Sequence, residues 1–240
     1  MNKQVRFWLL TVATLLALGL TLSLGRWQLS RAAQKELLQA QIEASEKLPA
    51  LDGAQLLASP EPLSLLHRPV HLQGQWLADK TVYLDNRPMQ AKVGFYVFTP
   101  LKIAGTQQAV LVQRGWLPRN FNQRNQLPPL ATRSGVIEVT GLLAPAPAKL
   151  LELGSGEQGA IRQNLDLAAY SEEIGQALLP LTLVQTGAAS EGLLRDWPQS
   201  SAGIDKHYGY AIQWFALAAL ISILYVWFQI VRKFFKPKNS

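Results

Sequence analysis

Two stretches of the chain carry no charge, and the rest of the pattern is organised around them. Between Arg6 and Arg26 runs FWLLTVATLLALGLTLSLG, and between His207 and Arg232 runs YGYAIQWFALAALISILYVWFQIV. Each is long enough for a helix to cross a bilayer, which takes about 20 apolar residues. Aromatic side chains stand at both ends of each run: Phe7, Trp8 and Trp27 on the first, Tyr208, Tyr210, Trp214, Trp227 and Phe228 on the second. At roughly 1.5 Å of rise per residue, Trp8 and Trp27 lie about 28 Å apart along a helix, close to the thickness of a hydrocarbon core. The pattern predicts transmembrane helices over residues 7–25 and 208–231. A cleaved signal peptide is the rival reading of the first, but the apolar run exceeds a typical h-region and TLSLGRWQ offers no clear A-x-A site.

Between the two runs the pattern changes. RAAQKELLQAQIEASEKL (31–48) is rich in helix formers with a partial apolar stripe at Leu37, Leu38 and Ile42, and predicts a helix ended near Pro49. Residues 49–66 read as loop with a short helical turn at GAQLLA. Short strand signals follow: RPVHLQGQW (68–76), TVYLDNR (81–87), VGFYVFTPL (93–101), QAVLVQRGW (108–116), GVIEVTGLL (135–143) and PLTLVQT (180–186). The break at Ala78-Asp79-Lys80 reads as a hairpin between the first two, and Gly105 marks a turn between the next two. NLDLAAYSEEIGQAL (164–178) has helical spacing with Asp166 as an N-cap. No internal repeat is evident. The predicted fold is an α+β domain rich in antiparallel strands, a small barrel or sandwich, flanked by two transmembrane helices.

Charge turns this pattern into a topology. The net charge is +7, but Lys3, Arg6, Arg232, Lys233, Lys236 and Lys238 supply six of the positive charges, and residues 26–207 hold 17 Lys and Arg against 16 Asp and Glu. A basic groove for nucleic acid is therefore not supported. The basic tails, residues 1–6 and 232–240, are expected in the cytoplasm by the positive-inside bias, which places residues 26–206 outside it. Tails this short leave no room for a cytoplasmic output domain. The N-terminus lacks an Arg/Ser-rich amphipathic transit stretch, which favours a bacterial plasma membrane. The chain contains no cysteine, which excludes disulfides, thiolate metal sites, a cysteine nucleophile and covalent heme attachment.

Candidate chemistry is sparse. GSGEQG (154–159) matches a dinucleotide fingerprint in letters only, because Glu157 would repel a pyrophosphate and prolines lie close upstream. There is no H-E-x-x-H, G-x-S-x-G or Walker loop. His67 and His71 are four apart but lack a third ligand, so they read as structural. Arg87, Arg114, Arg119 and Arg124 could clamp a carboxylate or propionate bidentately, or could simply bond to loops. His207 opens the second apolar run, and Tyr210, Ala211 and Trp214 share its helical side. Such a face could hold a planar macrocycle with the imidazole on iron, or could be an interfacial aromatic belt. The residues alone favour the belt, which is common, over a heme face, which is rare. Gln213 lies inside the bilayer and wants a partner, with Gln28, Trp27 or backbone as candidates. Gly19, Ser23 and Gly25, and Ala211, Ala218 and Ser222, offer small faces for close approach of the two helices.

LGRWQLSRAAQK (24–35), RPVHLQGQW (68–76), DNRPMQAKVGFYVFTPL (85–101), VLVQRGWLPRN (110–120) and HYGYAIQWFALA (207–218) resemble, in order, blocks of the Surfeit locus protein 1 family. The resemblance implies an assembly factor for cytochrome c oxidase rather than an enzyme. It implies a two-span protein of the bacterial inner membrane with a large periplasmic domain, helping to insert heme a into the catalytic subunit of the oxidase. Some bacterial members resemble heme a binders through the histidine that opens the second span, here His207, with Tyr210 and Trp214 beside it. Its implied partners are the oxidase catalytic subunit and, as a further candidate, the heme a synthase. The alternative is a membrane scaffold that stabilises an immature oxidase subunit without touching heme.

Overall fold

The computed structural model describes residues 2–119, 127, 130–150, 159–197 and 203–232. They divide into two compact units, Met1–Gln41 with Gln199–Ser240, and Ile42–Pro198.

The first unit is a pair of long helices. α1 (Lys3–Glu46) runs unbroken for 44 residues, so the span and the helix predicted after it are one element. At 1.5 Å per residue it is roughly 66 Å long, about twice what a bilayer requires. No proline or capping glycine interrupts it at Gly25-Arg26, and Ala, Leu, Gln and Glu carry it onward. Inside the apolar half, hydroxyls bond back to the helix itself: Thr11 to Phe7 O, Thr14 to Leu10 O and Thr21 to Ala17 O. That satisfies the hydroxyl donors within the helix itself, as an apolar span requires. α4 (Ile204–Val226) ends in a π-helical turn over Trp227–Val231. Both helices are long and apolar enough to cross a membrane.

The second unit is built on a barrel. Its strands are β1 (Pro69–Trp76), β2 (Val82–Met89), β3 (Lys92–Ile103), β4 (Ala109–Pro118), β5 (Val136–Ala144), β6 (Ile161–Arg162) and β7 (Leu178–Gln185). The pairing order β1-β5-β7-β4-β3 closes on itself through β1–β3, giving a five-stranded barrel, with β2 and β6 extending the sheet from β3. All these pairings are antiparallel except β4–β7 and β2–β6. Of the two architectures expected, the barrel is the one formed.

The corner at Gly74 makes closure possible. Gly74 pairs with Ile137 of β5 on one side and Ile103 of β3 on the other. A Cβ here would stand 2.4 Å from the carbonyl oxygen of Lys102, so only glycine lets the two backbones approach. The predicted hairpin at residues 78–80 does not form. β1 and β2 both run antiparallel to β3 along the same edge, Trp76 opposite Leu101 and Val82 opposite Phe98, so they point the same way. A 3₁₀ turn over Ala78–Lys80 offsets the chain between them, with Leu77 N–H bonded to Pro100 O.

The β1 alternation has the expected outcome: Val70, Leu72 and Trp76 are buried, while His71, Gln73 and Gln75 face out. The barrel interior also holds Leu101, Ile103, Val110, Val112, Val139, Leu143, Leu181 and Leu183, with Leu51 and Leu56 packed in from the segment holding α2 (Gly53–Ala58). β3 and β4 are buried on both faces, because α3 (Leu167–Ile174) packs Leu167 and Tyr170 against Val82, Leu84, Phe98 and Leu111 on the outside. This is why those strands read as nearly continuous apolar runs. Asp166 caps α3 through the Ala168 and Ala169 amides. The helix is shorter than its apolar spacing predicts, because Gly175 adopts the left-handed conformation at its C-terminus, with φ 63°.

Candidate functional site

Within the first unit, α1 and α4 run antiparallel and touch through small residues. Thr21, Gly25 and Ala32 of α1 and Ala211 and Ala218 of α4 are buried. Gly25 is a point of close approach: a Cβ there would meet the Phe215 ring at 2.8 Å. Gly19 and Ser23, expected on this face, point away from it. Gly19 and Gly25 are six positions apart, which rotates them far apart around a helix of 3.6 residues per turn.

Polar bonds tie the same pair along its length. Thr11 and Tyr225 share a hydroxyl–hydroxyl bond of 2.8 Å. The Tyr208 hydroxyl donates to Glu36 Oε1 at 2.8 Å. On α1 between Thr11 and Glu36, Gln28 places Oε1 2.7 Å from His207 Nδ1. Gln28 is therefore the partner of His207 and not of Gln213, whose side chain is exposed and makes no hydrogen bond among the described residues. The sequence signal for the pairing was available: both residues sit just beyond the inner ends of the two apolar runs, away from the basic tails, and an antiparallel pair brings those ends together.

Of the predicted site residues, His207 and Trp214 are half-buried. Tyr210 is 52% exposed, as is Trp27 at 51%. Ala211, counted on the same side as His207, is the contact with α1. The histidine thus has one ring nitrogen held by the helix pair, while Nε2 has no hydrogen-bond partner among the described residues. Arg31 lies 5.7 Å from the centroid of the Trp27 ring, one turn beyond Gln28.

The arginines of the barrel unit do not converge on a common point. Arg114 is fully buried and gives its guanidinium to Glu191 at 2.6 Å, to Thr132 at 2.9 Å and to the face of Trp76 at 4.7 Å. Arg87 donates to Gln163 O, and burial lowers its pKa. Arg119 grips both oxygens of Asp85 at 3.1 and 2.9 Å. These three bind the protein's own acceptors, and Arg124 lies outside the described residues. Two further arginines, not singled out in the sequence, do similar work. Arg162 pairs with Glu173 and lies 5.1 Å from the Tyr170 ring centroid. Arg195 donates to Arg114 O, Ala188 O and Ser190 Oγ. Tyr170 is pushed up to about 12 by burial and bonds Lys80 O through its hydroxyl. His71 pairs with Glu138 at 3.3 Å across β1 and β5. His67 sits apart with φ 66°, in the turn before β1. Among the described residues no group of three or more His, Asp or Glu stands close enough to hold a metal ion. Most of GSGEQG lies outside the described residues.

The molecule so defined belongs to a class of barrel proteins whose fold domain is bracketed in sequence by two candidate membrane helices. The model of the SURF1 family matches residues 15–219, taking in both Gln28 and His207. SURF1-like proteins of Rickettsia felis and Rickettsia bellii are 29% and 30% identical over 223 and 210 residues, covering 90% and 84% of this chain and 94% and 83% of theirs. A SURF1-like protein of Drosophila melanogaster is 26% identical over 234 residues, 89% of this chain and 75% of its own. The chain belongs to the SURF1 family, a family of oxidase assembly factors and not a known enzyme class.

Proposed function

We propose that the chain assists the insertion of heme a into the catalytic subunit of a heme–copper cytochrome c oxidase, as a non-enzymatic heme chaperone. The observation that supports this most is His207: Nδ1 is held by Gln28 and Nε2 has no hydrogen-bond partner among the described residues, with exposed Tyr210 and half-buried Trp214 on the same side of the helix. A histidine held by one nitrogen is set up to offer the other to a metal. His207 would hold the heme iron and the two rings would pack on the porphyrin. The cargo would supply only its own iron and ring, since the protein binds and releases it unchanged. A single protein ligand suits this role, because a second would oppose transfer.

The same reading puts the chain in the bacterial inner membrane with both termini cytoplasmic and residues 26–206 periplasmic, following the distribution of basic residues. The exposed amide of Gln213 among apolar neighbours fits a docking helix of the oxidase subunit or of the heme a synthase, since a polar group facing lipid is costly without a partner. The test is oxidase heme content in membranes of cells carrying His207→Ala at normal protein level. Oxidase depleted of heme a supports the chaperone. Oxidase with full heme, while deletion of the whole gene lowers oxidase amount, supports a scaffold that does not touch heme.

A further inference from the structure

We propose that Gln28 is a positioning residue for His207, which keeps the ring proton on Nδ1 so that Nε2 presents its lone pair to the iron of a heme cargo. The proposal rests on the heme-ligand reading of His207, but the state it assigns to the imidazole can be measured without heme.

The geometry is specific. Oε1 of Gln28 lies 2.7 Å from Nδ1 across 179 positions of sequence. With the Gln28 amide turned so that its oxygen faces the ring, Nδ1 is the donor, since an amide oxygen has no proton to give. A neutral imidazole carries one N–H, so Nε2 is then bare. Were Nε2 the protonated nitrogen, it could not bind iron without first losing that proton.

Helix packing, and not the reach of a flexible side chain alone, sets this bond. On α1, Gln28 lies between Gly25, which receives the Phe215 ring, and Ala32, which is fully buried. On α4, Ala211 is 1% exposed one turn beyond His207. These contacts hold the two backbones close enough for the amide and imidazole to meet. A neutral acceptor also makes a milder push on the ligand than a carboxylate would, because charged acceptors form the stronger bonds. Mild ligation is what a carrier that must release its cargo requires.

The experiment uses the full chain in detergent, with ¹⁵N-labelled histidine and His207 assigned by comparison with His207→Ala. At a pH where the ring is neutral, the wild type is expected as the Nδ1–H tautomer. Gln28→Leu is expected to shift His207 toward Nε2–H. Gln28→Glu is expected to keep Nδ1–H and to move the Nδ1 resonance, since the acceptor is now charged. In samples loaded with heme a, the iron–histidine stretching frequency is expected to fall in Gln28→Leu and rise in Gln28→Glu. A wild-type ring protonated on Nε2, or a tautomer that ignores Gln28→Leu, overturns the proposal whatever heme does. If Gln28→Leu does not fold, an unmoved Nδ1 resonance in Gln28→Glu overturns it instead. Failure of the heme-ligand reading looks different: the tautomer responds as expected, but heme a neither binds nor depends on His207.

Discussion

Phe215 of α4 lies across the bare backbone of Gly25 on α1, so close that a Cβ at position 25 would stand 2.8 Å from two atoms of its ring. Small residues let helices approach where lipid provides no hydrophobic drive between them. A bulky side chain at this position should pry the pair open. Because the chain has no cysteine of its own, a Thr11→Cys, Tyr225→Cys pair reports on the separation through a short bifunctional thiol reagent. We expect efficient cross-linking in the otherwise native chain and its loss in Gly25→Leu. Gly25→Ala, which the ring can relieve by a small shift, should keep most of it.

The buried pair of Arg114 and Glu191 makes a second prediction. Arg114 has no exposed surface in its side chain and Glu191 has 13%. Removing one member of a buried ion pair leaves an uncompensated charge, at a cost of about 3–5 kcal/mol. Glu191→Ala should therefore lower the thermal midpoint by roughly 6–20 °C, at about 2–4 °C per kcal/mol for a chain of this size, read by circular dichroism in detergent. Asp85→Ala, which breaks the more exposed pair with Arg119, should cost clearly less.

Closure of the barrel depends on Gly74. Its substitution by alanine places a methyl group 2.4 Å from a backbone oxygen that cannot move without opening the β1–β3 pairing. We expect Gly74→Ala to destabilise the barrel unit by about 2 kcal/mol or more. Faster hydrogen exchange at the amides of Leu77 and Ala104, which donate to Pro100 O and Gln73 O across that seam, would localise the damage. An exchange pattern unchanged at that seam would contradict the closure described.

Acid should loosen α3 first. Glu173 is held below the ordinary carboxylate range by its hydrogen bond to Arg162, and Asp166 by the Ala169 amide, with Lys149 adding to it. A carboxyl with a lowered folded pKa stabilises the fold above its unfolded pKa, and that contribution is lost as pH falls through the folded value. Stability should thus drop below about pH 4. Glu173→Gln should flatten that acid limb and cost at most about 1 kcal/mol at neutral pH, since the Glu173 side chain is 46% exposed. Equilibrium unfolding as a function of pH measures both.

Much of the fold was legible because its signals are local. Uncharged runs mark the two helices, alternation marks β1, and Asp166 marks the start of α3. What escaped was set by tertiary contact. β6 is two residues long, with no pattern to read. The offset between β1 and β2 depends on β3 offering one edge to both, which adjacency along the chain disguises as a hairpin. At the candidate site, His207, Tyr210 and Trp214 were readable as a helical face, but which side faces α1 follows from the packing of Gly25 and Ala211. That packing reassigned Gln28 from Gln213 to His207. The arginines were visible as anion binders in type, and only the folded barrel shows that Glu191, Asp85 and Gln163 already occupy them.

The most direct test of the account is an optical spectrum of the full chain, purified from cells that make heme a, beside His207→Ala prepared in the same way. The wild type is expected to show a heme a spectrum that is lost in the variant, with helix and strand content unchanged by circular dichroism. A wild-type protein that never carries heme a, or a variant that carries it equally well, would contradict it.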